Sequence, residues 1–326
     1  MKNIFVMFTV LVALMSSFAL AATDAAVSGS GTNSGNMNPT DSVSVDLTNR
    51  LEMDMEPMVQ EISKVSCDMG HPVVAFDVSK GQYISDDTKF VTDLLSAGYF
   101  VGTINIADPA DVAILNDCVD VLIITDLQHD YQLLTPYTSA EGDIIKTYAL
   151  NGGGLIVNSD WGPYFTAYTD NIVNKFGVYQ AEYIEDLTDY DSQPAWVIYQ
   201  EDNFAGHPIT DGVQSAEMLY GGILYLDGSP FSPIITADAD ASPSNAIVTV
   251  AGQAGEGCVA VFDDTNWIQT LTSADGYAKQ DNNIMAMNTV DWAAHCSEPQ
   301  IPEFSLLAGG IALIGALCAF FLLRKR

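Results

Sequence analysis

Val73-Val74-Ala75-Phe76-Asp77 is the stretch that decides the fold: four apolar residues with no polar alternation, closed by an acid. Such a run is buried on both faces, which places it in a parallel sheet between helices. Outward from it, strand and helix patterns alternate. Asp86 to Ala97 has the periodicity of an amphipathic helix closed by Gly98, and Phe100 to Ile106 is a second strand. Val119 to Thr125 is a third strand, Ser139 to Leu150 a helix ended at Gly152, and Gly154 to Asn158 a fourth strand. Beyond these, Ala195 to Tyr199, Met218 to Leu226, Ala246 to Val250 and Val259 to Phe262 are β-rich, with turns such as Gly252 to Gly257. Asn282 to Ala294 predicts a closing helix. The expected fold class is α/β: a doubly wound, mainly parallel sheet with an antiparallel β extension, in one domain over residues 70–297.

The flanks of that domain read as an address. Lys2, the apolar Ile4 to Leu20 and the small-residue site Ala19-Leu20-Ala21 describe a secretory signal peptide over 1–21. Residues 22–45 are a Ser/Gly/Thr/Asn linker. Leu47, Leu51, Met55, Met58, Ile62 and Val65 recur at near-helical intervals, interrupted by Pro57, which predicts a helical segment over 46–69. The chain closes with Pro302-Glu303-Phe304, an apolar run over 305–323 and Arg324-Lys325-Arg326. At about 1.5 Å per residue the run covers roughly 28 Å, enough for a transmembrane helix. The basic end stays cytoplasmic, so the main domain is extracellular, membrane-anchored through the C-terminus. This tail, over 302–326, resembles the PEF-type C-terminal sorting domain of archaeal surface proteins, the substrates of archaeosortases. The resemblance implies an archaeosortase as processing partner, with cleavage near the motif and replacement by a lipid-type anchor. A permanent single-pass anchor is the other reading.

The chain carries 11 Lys and Arg against 42 Asp and Glu, a net charge of −31. Lys2 and the three closing cations sit in the address segments, so the exported part is more acidic still. That charge repels phosphate backbones and excludes nucleic acid as a partner. With 48% hydrophobic residues the chain can still build a core, so the acid marks a salt-adapted surface rather than disorder. Of the five cysteines, Cys318 lies in the apolar tail. The other four, Cys67, Cys118, Cys258 and Cys296, allow three pairings in an oxidising compartment. Cys67 with Cys296, which would staple the two ends of the fold, is the expected pair.

Several landmarks occur in order: Val73 to Asp77 followed by Lys80-Gly81; Ala97-Gly98-Tyr99; Asn151-Gly152-Gly153-Gly154; His207-Pro208-Ile209-Thr210-Asp211-Gly212-Val213; Asp263-Asp264-Thr265-Asn266-Trp267; and Asn288-Thr289-Val290-Asp291-Trp292. Residues 70 to 295 thereby resemble the class I glutamine amidotransferase-like superfamily, in its non-amidotransferase branch with trehalose-utilisation-type and gliding-motility-type domains. The resemblance implies a flavodoxin-like sheet. It also implies a catalytic cysteine on the turn after the fourth strand, where this chain has Ser159-Asp160-Trp161. Amidotransferase chemistry is therefore not expected, and the domain reads as a catalytically lapsed binding or structural module of the envelope, with surface glycan or other envelope proteins as partners.

In doubly wound sheets, ligands bind beyond the carboxyl ends of the strands. Those ends carry Asp77, Asp126, Asp160 and Asp263, with Asp264 and Asn266 beside the last. Oxygen ligands suit Ca²⁺ or Mg²⁺, so these residues form either a cation or polar-ligand cleft or a solvated acidic rim. A carboxylate-dependent hydrolase of surface carbohydrate is the enzymatic alternative. Asp238-Ala239-Asp240-Ala241-Ser242 has the alternating oxygens of a calcium loop but lacks the EF-hand Gly and bidentate Glu, so it reads as an acidic turn. Trp161, Tyr164, Tyr168, Trp196 and Trp267 are candidates for a sugar-stacking surface or for core packing.

Overall fold

The computed structural model describes residues 63–65, 67, 70–82, 87–125, 135–159, 162–219, 221–270 and 276–296. The signal peptide, the linker, most of the 46–69 helical segment, the sorting motif with its apolar run, and both Asp126 and Asp160 lie outside them. Among the described residues, no helix is long and apolar enough to cross a membrane.

The chain begins as alternating strand and helix: β1 (Val73–Asp77), α1 (Thr88–Ser96), β2 (Phe100–Ile104), α2 (Pro109–Cys118), β3 (Val121–Ile124), α3 (Ser139–Leu150), β4 (Gly154–Asn158) and α4 (Gly162–Val173). Seven strands follow, β5 (Val178–Tyr183), β6 (Trp196–Gln200), β7 (Ser215–Leu219), β8 (Gly222–Leu226), β9 (Ser232–Thr236), β10 (Ile247–Ala254) and β11 (Gly257–Phe262), before α5 (Asn282–Ala294). The main sheet runs β2-β1-β3-β4-β11-β10-β8-β5, with β9 also paired to β10. Pairing is parallel from β2 to β11 and antiparallel beyond it. β6 and β7 form a separate antiparallel pair. The mixed α/β expectation, a mostly parallel sheet with antiparallel strands added, thus holds.

The unbroken apolar runs explain the layering. Alternate residues of each central strand enter opposite cores. Val74, Phe76, Val121, Ile123, Ile156 and Phe262 pack with α1 and α5 residues such as Leu94 and Met285. Val73, Ala75, Leu122, Leu155, Val157 and Val261 pack with Leu115, Ile145 and Ile172 on the other face. Helix starts follow local chemistry: Thr138 and Glu141 form a reciprocal capping box on α3, and Asp108 caps α2 with Pro109 in the first turn. Gly154 lets α5 lie against β4, because a Cβ there would stand 2.6 Å from the Ala293 carbonyl oxygen.

The disulfide expectation is corrected. Cys67 pairs with Cys118, and Cys258 with Cys296, at Cα separations of 5.1 and 5.4 Å. The segment before β1 runs beside β2, through the Lys64–Thr103 bridge, and meets the end of α2. Cys296 follows α5, which packs over β4 and β11. β2 and β11 stand at opposite ends of the parallel set, about 19 Å apart at about 4.8 Å per strand, so no single disulfide could join them. Each end of the domain is stapled to its own side.

Candidate functional site

At the carboxyl end of β1, Asp77 is fully buried and its oxygens are fully engaged. Oδ1 accepts from the Ser79 and Ile106 amides, both at 3.2 Å; Oδ2 accepts from Ser79 Oγ at 2.7 Å and Tyr137 Oη at 2.6 Å. Gln82 Nε2 donates to Tyr137 and Tyr168, and Lys80 forms an enclosed ion pair with Glu141 at 2.6 Å. Burial pushes the Asp77 carboxyl up, and its donors oppose that shift. This network closes the β1 loop; it leaves Asp77 no free oxygen for a substrate.

At the end of β4, the expected nucleophile turn is sealed by a relay whose direction can be deduced. Asp263 Oδ1 accepts from Gln180 Nε2 at 2.8 Å, which fixes the amide so that Gln180 Oε1 accepts from Thr169 Oγ1 at 2.9 Å. With its proton committed to Gln180, Thr169 is left as acceptor for the Ser159 hydroxyl, which is 1% exposed. The serine proton therefore goes to a neutral oxygen, with no base to take it.

Asp263, Asp264 and Asn266 are brought together after β11, about 14 Å from Asp77 across three strand steps. Asp264 accepts from the Leu219 amide and from Asn266, and Asn266 Nδ2 donates to the Leu219 carbonyl. Gly222 makes room for this turn, since a Cβ there would lie 2.2 Å from Asp263 Oδ2.

A second acidic group sits nearby. Asp186 and Asp189, after β5, meet Asp238, after β9, with one carboxylate oxygen of each within 4.8 Å of the others. These are the described residues that could hold a metal ion. Asp186 is 2% exposed; its Oδ1 accepts from the Thr188 and Asp189 amides and from Thr188 Oγ1. Asp240 joins through Thr188 Oγ1 at 2.8 Å. Partial burial and Asp240 beside it push the Asp238 carboxyl up. Among the described residues, no Lys, Arg or His forms an ion pair with these four acids. Tyr199, 1% exposed, has a hydroxyl with no hydrogen-bond partner. Burial holds that phenol in its neutral form, reinforced by the fields of Asp264, Asp186, Asp238 and Asp263.

Asp263, Asp264 and Asn266 were legible as strand-end residues, and Asp238 and Asp240 as an acidic turn. Asp186, Asp189 and Tyr199 were not, because their meeting with Asp238 depends on two loops about fifty residues apart. The aromatic candidates disperse. Tyr168 and Trp267 are buried, Trp267 stacked on Phe262 at 4.3 Å and donating to Asn158; Trp196 lies under Lys279. Trp161 and the Tyr164 side chain lie outside the described residues.

No family model matches the chain, and no curated protein does. Among solved structures, it is similar to the mmIFT52 N-terminal domain, with a TM-score of 0.54 and 14% identity over 67% of this chain and 99% of that one. It is also similar to the cytoplasmic protein STM3548 of Salmonella typhimurium, at 0.45 and 16% identity over 68% and 98%. A cold-adapted β-galactosidase from Rahnella sp. R3 matches at 0.44 and 14% identity, over 69% of this chain but 31% of that one. At such identities the likeness concerns the fold alone.

Proposed function

We propose that this chain is an exported, surface-anchored archaeal envelope protein whose glutamine amidotransferase-like domain binds rather than catalyses. The strand order β2-β1-β3-β4-β11, parallel throughout, supports the flavodoxin-like doubly wound reading, and two disulfides suit an oxidising compartment. The observation that carries the non-catalytic reading is the relay from Ser159 through Thr169 and Gln180 to Asp263. An amidotransferase needs an activated thiol at that turn; this chain has a sealed serine, and the four cysteines of the described residues are paired.

The hydrolase alternative has less support. Glycosidase carboxyls stand about 5 to 9.5 Å apart, whereas Asp77 and Asp263 are about 14 Å apart and both hold loops. A divalent cation, Ca²⁺ or Mg²⁺, is the cofactor class that Asp186, Asp189 and Asp238 favour. Exposed Tyr179 and Tyr225, directly paired across β5 and β8, support a surface glycan as partner.

The test has two arms on the native protein. Glutamine hydrolysis should stay at the level of the blank, and the intact mass should lack the segment after about Phe304. Glutamine turnover that Ser159→Ala removes would overturn the lapsed-enzyme reading, and a retained Arg326 would overturn processing.

A further inference from the structure

We propose that Lys279 and Asp191 condense into an intrachain isopeptide bond, without a partner enzyme, with Glu217 carrying the proton. Lys279 Nζ is in ion-pair contact with Asp191 Oδ2, so amine and carboxyl already touch. Glu217 Oε1 lies 3.8 Å from the same Nζ, on a side chain that is 1% exposed and has no hydrogen bond to either oxygen. All three residues are held by their backbones. The Asp191 amide donates to the Trp196 carbonyl, the Lys279 amide donates to the Gly276 carbonyl, and the Asn282 side chain clamps both the amide and the carbonyl of Glu217. A second observation is independent of the ion pair. The Trp196 ring centroid is 5.9 Å from Lys279 Nζ, and its Nε1 is a buried donor without a partner. An orphan donor and an orphan acceptor thus flank one lysine, and such groups are rare in folded proteins. An amide at Lys279 offers their complement, a C=O for Trp196 and an N–H for Glu217. Among the described residues Lys64 also touches two acids, but its second one, Asp108, is exposed and caps α2.

The reaction needs no co-reactant. One proton moves along the contact from ammonium to carboxylate, leaving an amine and a carboxylic acid. The Nζ lone pair then attacks Asp191 Cγ to form the C–N bond, while one Glu217 oxygen takes a proton from Nζ and the other gives its own to the departing hydroxyl. The C–O bond breaks, one water leaves, and Glu217 ends protonated as it began. Burial pushes the Glu217 carboxyl up, which favours that protonated form, and Lys279 opposes the shift. Reactants fixed in contact behave as if at about 10⁵ M or more, which favours condensation in water. The 3.8 Å approach of Glu217 is the long form of a contact that tightens as the reacting groups close. Part exposure of Lys279 and Asp191 gives the released water a way out. The bond would link positions 88 residues apart, tying the loop after β5 to the entrance of α5.

The experiment is mass spectrometry of protease digests of the purified full chain with its disulfides reduced. The peptides that hold Asp191 and Lys279 should appear as one branched species, lighter than their sum by one water and uncut after Lys279. That species should be absent from Lys279→Arg and from Glu217→Gln, and each of these should lose about 10 °C or more in Tm against the bonded chain. Lys279→Arg keeps the charge but cannot form the bond, so it is the parent in which the titration of Glu217 is read. Separate peptides from the native chain, with Lys279 free, would overturn the proposal. A branched species that persists in Glu217→Gln would overturn the role given to Glu217. The digest of the native chain needs no variant, so the test stands even where a variant fails to fold.

Discussion

In the parallel half of the domain, Asp77 is buried with four donors on its two oxygens, and the loop around it is closed. In the antiparallel half, Asp186, Asp189 and Asp238 face one another without a paired cation, and Tyr199 is buried without a partner. The two halves share apolar strands and one continuous sheet. They differ in what surrounds their acids: hydrogen-bond donors on both oxygens of Asp77, other carboxylates around Asp238. An acid surrounded by donors organises a loop, whereas acids clustered without a paired cation repel one another and favour a bound positive charge. Position at a strand end, the usual pointer to a site in such sheets, is therefore a weaker guide here than the accounting of hydrogen bonds.

That contrast can be broken from either side. The largest effect is expected from Leu122→Ala in the fully buried β3, about 3 to 5 kcal/mol in denaturant unfolding. One cooperative transition should persist; two transitions would show that the halves are separately stable. Tyr137→Phe deletes the hydroxyl that donates to Asp77 and accepts from Gln82, and should cost about 1 to 3 kcal/mol. A neutral result would remove the claim that this network holds the β1 loop.

Glu217, on β7, provides the smallest and most selective probe. Burial holds its carboxyl above the ordinary value, with Lys279 at 3.8 Å opposing the shift. The native state thus keeps the Glu217 proton more tightly than the unfolded chain does. The stabilisation is full below the ordinary range and is lost as pH rises through the native value. Glu217→Gln should match the parent near about pH 4 and exceed it increasingly towards about pH 8 in denaturant midpoint. A constant gap between the two would contradict the assignment.

The legible parts of the fold were those set by short-range pattern. α3 and β4 run over the residues their sequence predicts, and α5 likewise, because caps, glycines and uninterrupted apolar runs are local signals. α2 carried such a signal in Asp108-Pro109, yet few of its residues are buried, Asp111 and Leu115 among them, so it lacks a clear apolar stripe. Met218 to Leu226 read as one strand and is two, since the chain breaks before Gly222 and its halves enter different sheets. β9, with Pro233 inside it, carried a residue that argues against a strand in the middle of a sheet, and β5 is held chiefly by its pairing with β8. The disulfide pairing and the Asp186–Asp189–Asp238 cluster depend on long-range contacts that no local pattern encodes.

The central claim, that ligand chemistry resides in the antiparallel half and not at the closed ends of β1 and β4, is tested most directly by hydrogen exchange with and without Ca²⁺. Slower exchange should be confined to residues around 184–191 and 236–242, with the amides at 77–82 and 158–159 unchanged. Protection that appears at the ends of β1 and β4 while those two loops stay as they were would contradict the account.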